Sequence, residues 1–167
     1  AEEPHEIIAT QINPYLVDAP QVVLPNRKEP ISAVSGICYG SFALDDGHYT
    51  LSDADRSEIL AECAEAERYI RPFIGGQELL HGESRWCLWL KNMNPADLQK
   101  MPPIRRRVEA VKVWRQNSSR KTTQNLAETP AIFAEIRQPE TAYLALPTVS
   151  SEKRDFIPVA FLSADTI

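Results

Sequence analysis

The sequence predicts an α+β fold, with a mixed or antiparallel sheet and helices packed on it. Apolar residues at helical spacing fill the middle of the chain, and short apolar or alternating runs between turn formers lie on either side. A length of 167 residues, with 43% hydrophobic and 25% charged residues, suits one domain, or two very small ones, with a core. We expect an irregular N-terminal segment over residues 1–10 and a domain over residues 11–167.

The first half of the chain predicts two strands and one long helix. Prolines and other turn formers bound the apolar runs Gln21–Leu24 and Ile31–Ile37, which are strand candidates. Ser52 can cap a helix of about five turns, which we expect to end at Pro72. Its buried stripe is Ile59, Cys63, Ala66 and Ile70, and its acids Asp53, Asp55, Glu58, Glu62 and Glu65 should lie mostly in solvent.

The second half predicts two more helices and four strands. Asn94-Pro95 suits the start of a short helix, and Pro102-Pro103 suits the start of a helix that runs to about residue 118. The buried stripe of that longer helix is Ile104, Val108 and Val111. The strand candidates are Arg85–Lys91, Ala131–Ile136, Thr141–Leu146 and Ile157–Leu162.

Positive charge is concentrated in one short block of an acidic chain. Residues 1–99 carry a net charge of −9, whereas residues 100–121 carry eight basic residues against Glu109 alone. Such a block favours a polyanionic partner at a defined place, although a solvated helix face is an equally good explanation of the charge alone. The candidate contacts from this block are Arg105, Arg106, Lys112, Arg115, Arg120 and Lys121.

Targeting signals and catalytic patterns are missing from the sequence. Three cysteines spaced 25 and 24 residues apart match neither a disulfide framework nor a zinc motif, and no apolar run is long enough for a membrane span. We therefore expect a cytoplasmic location without a membrane partner, and, since residue 1 is Ala, a piece of a longer polypeptide. No nucleophile with a base, metal-ligand cluster or glycine-rich phosphate loop is evident, so we expect no catalytic residues, metal or cofactor in this chain.

A second polar patch, Ser150-Ser151-Glu152-Lys153-Arg154, lies between the last two predicted strands. Hydroxyl, carboxylate and cationic groups are those that contact phosphates and base edges in nucleic acids. Such a patch, taken alone, is more often an ordinary surface loop. Together with the basic block, it makes nucleic acid a candidate partner.

Several long phrases resemble one protein family. They include Ile12-Asn13-Pro14-Tyr15-Leu16-Val17-Asp18-Ala19-Pro20, Ile70-Arg71-Pro72-Phe73-Ile74-Gly75 and Arg85-Trp86-Cys87-Leu88-Trp89-Leu90. The series continues with Ile136-Arg137-Gln138-Pro139, Pro147-Thr148-Val149-Ser150-Ser151-Glu152-Lys153-Arg154 and Ile157-Pro158-Val159-Ala160-Phe161-Leu162. In this order they resemble the target recognition region of MmeI-like DNA methyltransferases over residues 11–162.

The resemblance implies a module that holds double-stranded DNA for base flipping by an adenine-N6 methyltransferase domain of the same polypeptide. That domain would bind S-adenosylmethionine, and some family members also carry an endonuclease. Arg137, inside one of the shared phrases, joins the predicted DNA contacts. The family's cofactor loop and Asn-Pro-Pro-aromatic motif have no counterpart here, so we expect this chain not to methylate alone. The alternative is a protein-interaction domain with a solvated basic helix; an independent small enzyme is a third possibility.

Overall fold

The computed structural model describes residues 6–34 and 36–167. Contacts divide the chain into two units, Ala1–Ile37 and Cys38–Ile167. Helices and small antiparallel sheets confirm the predicted α+β class, with the sheets of the antiparallel kind. The predicted boundary between residues 1–10 and 11–167 stays a prediction, and residues 1–5 lie outside the described part.

In its described residues the first unit is irregular chain with one compact turn. An isolated bridge pairs Ile12 with Asp18, and the Asn13 side chain accepts hydrogen bonds from the amides of Tyr15 (2.9 Å) and Val17 (3.3 Å). The strand prediction at Gln21–Leu24 is wrong, and so is that at 31–37 for its described residues, since neither run pairs with another strand there. Prolines 20, 25 and 30 interrupt the segment and provide no amide donors.

The second unit contains a three-stranded antiparallel sheet. Its strands are β1 (Thr50–Leu51), β2 (Ile70–Pro72) and β3 (Trp86–Leu88), in the order β1-β3-β2. Strand β3 is a shortened form of the strand predicted at residues 85–91. Pro72 of β2 lies opposite Trp86 of β3. Because β2 is an edge strand, it tolerates a residue without an N–H at this position.

The helix predicted from Ser52 is half as long as expected. Helix α1 spans Asp53–Glu62, and Ser52 caps it in a capping box with Asp55, as the sequence indicates. A 3₁₀ helix follows over Ala64–Tyr69, and the chain then enters β2, so the prediction that Pro72 ends the helix is wrong. The apolar stripe survives this change, because Ile59, Ala66 and Ile70 are all buried.

Four further helices complete the second unit. They are α2 (Gly76–His81), α3 (Pro95–Lys100), α4 (Pro102–Gln116) and α5 (Lys121–Asn125), with a 3₁₀ helix at Leu126–Glu128. Asn94 caps α3, and its side chain accepts from the Ala96 amide at 2.9 Å. Helix α4 confirms its prediction, including the burial of Ile104, Val108 and Val111. No helix of the described chain combines the length and the apolar character that a bilayer span requires.

The core joins α4 to the first sheet. The fully or nearly fully buried apolar side chains of this cluster include Tyr49, Leu51, Ile70, Cys87, Leu88, Leu90, Met101, Ile104 and Val111. Burial raises the pKa of the Cys87 thiol to about 12. The strand prediction at Ala131–Ile136 is wrong, because only Glu135 forms a bridge, with Phe42, and the carbonyl of Ile132 accepts from a side chain instead.

A separate two-stranded sheet lies near the C-terminus. Strands β4 (Tyr143–Ala145) and β5 (Ala160–Leu162) are antiparallel and confirm, in shorter form, the last two predicted strands. We call residues 146–159 between them the β4–β5 loop. Its base is fixed by the pairing of Ala145 with Ala160 and by Pro147, which is buried.

Candidate nucleic-acid interface

Helix α4 presents cations on the face adjacent to its buried stripe. Arg105 is exposed and Lys112 is half-buried, and their spacing of seven positions corresponds to about 10 Å along one helix face. Arg105 donates a long hydrogen bond to the Gln99 side chain (3.4 Å). Within the described chain neither cation forms an ion pair within 4 Å, and Glu109 lies between them on the same face.

Arg106 and Arg107 are neutralised by acids of α1. The two terminal nitrogens of Arg106, Nη1 and Nη2, donate to Glu62 at 3.0 and 2.5 Å, and this hydrogen bonding lowers the pKa of the Glu62 carboxyl. Arg107 donates to Asp55 (2.7 Å) and to the His48 carbonyl (2.9 Å). Glu62 is exposed, as expected from the sequence, whereas Asp55 is half-buried; the two acids lie seven residues apart on one face of α1.

Arg115 is a structural residue. Its side chain is fully buried, and its guanidinium donates to five backbone carbonyls at 2.8 to 3.2 Å, those of Ala43, Leu44, Leu126, Thr129 and Ile132. The prediction that Arg115 contacts DNA is wrong, because no donor of the fork faces solvent. The sequence does indicate this burial, because Arg115 follows Val111 by four residues and so continues the buried stripe of α4.

The turn after α4 carries two more exposed cations. Arg120 immediately precedes α5 and Lys121 begins it; among the described residues neither forms an ion pair. The Ser118 hydroxyl accepts from the Arg120 amide (3.2 Å), and the Ser118 carbonyl accepts from the Gln124 side chain (2.8 Å). The backbone that holds the two cations is therefore ordered by local hydrogen bonds.

Arg137 lies apart from α4 and already has partners. It forms an ion pair with Glu135 and donates to the Gly40 carbonyl at 3.2 Å. Its amide also donates to the Ser41 hydroxyl. Arg137 therefore braces the chain around residues 40–41, and only part of its charge faces solvent.

The β4–β5 loop holds all five residues of the second polar patch at the surface. The Ser151 hydroxyl accepts from the Lys153 amide (3.2 Å), and the Ser151 carbonyl accepts from the Arg154 amide (3.1 Å), which together form a tight turn. Glu152, Lys153 and Arg154 form no ion pair with the described residues. Their side chains are therefore available to a ligand.

Comparison with known proteins places this arrangement in a family. The family model described as the MmeI target recognition domain matches residues 18–167, nine-tenths of the chain. The chain belongs to the MmeI target recognition domain family. The resemblance predicted from the sequence is thereby confirmed.

Two relatives of this target recognition domain show how it occurs in longer proteins. DNA methyltransferase A of Bacillus subtilis (strain 168) is 31% identical over 160 residues, which are 96% of this chain and 18% of that protein. A solved structure of the Type IIL restriction-modification enzyme MmeI in complex with DNA has a TM-score of 0.88 and 38% identity, over 99% of this chain and 22% of that one. The chain thus spans about a fifth of the length of each relative.

The predicted contacts of the target recognition domain fall on separate elements. Arg105, Arg106 and Lys112 share α4, Arg120 and Lys121 lie at the start of α5, and the loop residues 150–154 follow β4. No hydrogen bond or ion pair of the described chain joins the loop to α4. Sequence reasoning missed the acids that pair with α4, because they lie 44 and 52 residues away along the chain.

Proposed function

We propose that this chain is the DNA-recognition module of a DNA methyltransferase or restriction–modification polypeptide. In this proposal α4 and the start of α5 contact phosphates, and the β4–β5 loop contacts base edges. The observation that carries it is the set of four exposed or half-buried cations without carboxylate partners, in a chain whose net charge is −5 and which belongs to a target-recognition family. The four are Arg105, Lys112, Arg120 and Lys121.

The chemistry of the two surfaces fits different tasks. Cations on one helix face can follow a phosphate backbone, which fixes register but carries no sequence information. The β4–β5 loop offers a carboxylate, two hydroxyls and two cations on a turn, and these can accept from cytosine or donate to guanine. A small sheet closes the base of the loop, so its polar groups are held on a rigid support.

The methyl transfer itself belongs, in this proposal, to another domain of the same polypeptide. That domain would bind S-adenosylmethionine and act on adenine N6 after flipping the base, a step that costs a few kcal/mol of unstacking. The recognition module would hold the duplex while the base leaves the stack. Within the described residues no cluster of three His, Cys or acidic side chains is positioned to hold a metal ion.

The test is the salt dependence of DNA binding by the polypeptide that the complete gene encodes. Replacing Arg105→Gln and Lys112→Gln together should weaken binding to all duplex sequences alike. The slope of log K against log salt should fall by about 0.9 for each phosphate that the protein no longer neutralises. The matched control, Arg27→Gln with Lys91→Gln, removes an exposed arginine and an exposed lysine that form no ion pair with the described residues, and it should leave the slope unchanged.

The alternative function makes the opposite prediction. If α4 is a solvated face of a protein-interaction domain, both double variants should change the slope equally or not at all. That result would contradict the assignment of α4 to phosphate contacts.

A further inference from the structure

The first unit exposes an unusual amount of apolar surface. We call residues 7–34 the N-terminal strap. Every Ile, Leu, Val and Tyr of the strap is exposed, and Asn13 is its one buried residue. Among the described residues, eleven of the 22 large hydrophobic side chains that are exposed lie in these 28 residues. Contiguous apolar exposure of this kind marks an interaction surface.

The strap does not have the composition of a solvated linker. Disordered linkers are poor in large apolar residues and rich in charge. The strap has only four charged residues, Asp18, Arg27, Lys28 and Glu29, whose charges cancel. A surface without net charge is unsuited to the phosphate backbone and suits an apolar partner.

Part of the strap has a defined conformation, held by hydrogen bonds within it. The Tyr15 hydroxyl accepts from the Leu24 amide at 2.7 Å, and the Gln21 side chain donates to the Ile12 carbonyl at 2.5 Å. Leu16 has a φ of 61° and is 84% exposed, so the turn holds an apolar side chain outward in a backbone conformation that leucine rarely adopts. An unfavourable conformation at an exposed leucine points to a contact made by that side chain.

The mode of docking follows from the prolines. Prolines 20, 25 and 30 remove an amide donor every five residues, so the strap cannot add a regular strand to a sheet. Its apolar side chains, rather than its backbone, are therefore the groups that a partner would bind.

We propose that the N-terminal strap docks on an apolar surface of the methyltransferase domain of the same polypeptide. The relatives are about five times as long as this chain, and one of them is a DNA methyltransferase, so a domain of this kind is available as the partner. This inference rests on the proposed function. It adds the surface by which the recognition module is held against the catalytic one, far in sequence from α4 and the β4–β5 loop.

Hydrogen exchange tests the proposal in two polypeptides, this chain alone and the product of the complete gene. Strap amides should exchange at least about tenfold more slowly in the complete product, as expected for a docked segment. Replacing Leu16→Ser, Leu24→Ser and Ile31→Ser together should restore fast exchange there and leave the unfolding temperature of the 167-residue chain unchanged. The control Leu144→Ser, at an exposed leucine on β4, should leave strap exchange slow.

Three results would overturn the proposal. One is equal strap exchange in both polypeptides, and another is a gene that encodes no further domain. The third is protection of the strap amides from exchange in the 167-residue chain alone, if this protection increases with protein concentration. That result would identify a second copy of the chain as the partner. Failure of the proposed function has a different readout, since the salt slope of DNA binding does not depend on strap exchange.

Discussion

Arg106 and Glu62 form a two-point ion pair between α4 and α1, with the two Arg106 nitrogens 3.0 and 2.5 Å from the two carboxylate oxygens. The pair raises the pKa of Arg106 through the same hydrogen bonds that lower the pKa of Glu62. Arg105, one residue earlier, has no such partner among the described residues. Two adjacent arginines of one helix thus differ in the charge that they present to a ligand.

The first prediction concerns Glu62→Gln. Removing this carboxylate frees Arg106 for a phosphate, so DNA affinity should rise and the salt slope should steepen by up to about 0.9. The fold should persist, because exposed ion pairs contribute little to stability. The measurement is binding to duplex DNA over a range of salt concentrations. Glu65→Gln removes an exposed acid of the neighbouring 3₁₀ helix and should have a smaller effect. Equal effects of the two variants would show that Arg106 does not contact phosphate.

The second prediction concerns Arg115→Met. Five carbonyls would be left without their donor while remaining inside the domain, so the free energy of unfolding should fall by at least about 3 kcal/mol. Urea unfolding measures this decrease. Arg105→Met changes an exposed arginine of the same helix and should shift stability by no more than about 0.5 kcal/mol. Similar small decreases for both variants would contradict the structural role of Arg115.

Arg106 and Arg115 also show how much of the structure the sequence could predict. Local sequence patterns were sufficient to predict the start of α4 at its prolines, its buried stripe and the Ser52 cap. Each of these features depends on residues within one or two helical turns. The role of Arg115 depends on carbonyls up to 72 residues away, and the irregular chain at residues 131–136 depends on Arg115 in turn. The partners of Arg106 and Arg107 are similarly distant. The position of Arg115 on the buried stripe does indicate its burial, but long-range polar contacts of this kind have no short-range pattern, so the charge block could not identify the partners of these cations.

The third prediction concerns the pH dependence of stability through Asp55. Hydrogen bonds from the Ser52 side chain and backbone, followed by that from Arg107, hold the pKa of the Asp55 carboxyl below its usual range. A carboxylate with a lowered pKa stabilises the fold above its unfolded value, near 3.8, and loses this contribution as the pH falls through the folded value.

Asp55→Asn should therefore be less stable than the natural chain at pH 7, by up to about 1 kcal/mol. The difference should shrink as the pH falls from about 5 to about 2. Urea unfolding across this range measures it, and Glu109→Gln, which removes an exposed acid of α4, is the control for the loss of a carboxylate. A difference that stays constant down to the lowest pH would contradict the role of the Asp55 charge.

The last prediction concerns base reading by the β4–β5 loop. Glu152 and Lys153 are adjacent, exposed and unpaired among the described residues, on a turn held by Ser151. Glu152 can accept from the amino group of cytosine, and Lys153 can donate to guanine, so exchanging the two residues interchanges an acceptor and a donor at the same place. The net charge of the protein does not change, so the contribution of phosphate contacts to DNA affinity should stay the same.

The exchanged variant, Glu152→Lys with Lys153→Glu, should alter the preferred base at one position of the methylated site. A good base contact is worth about 1–3 kcal/mol, so the preference should change by roughly 5- to 150-fold. Sequencing of the sites methylated by the complete gene product measures it. The charge-neutral exchange Glu65→Lys with Lys91→Glu, at surface positions outside the loop, should leave the site unchanged. If the loop variant keeps the same site and only its affinity shifts slightly, the loop does not read sequence, and base recognition must come from another part of the polypeptide.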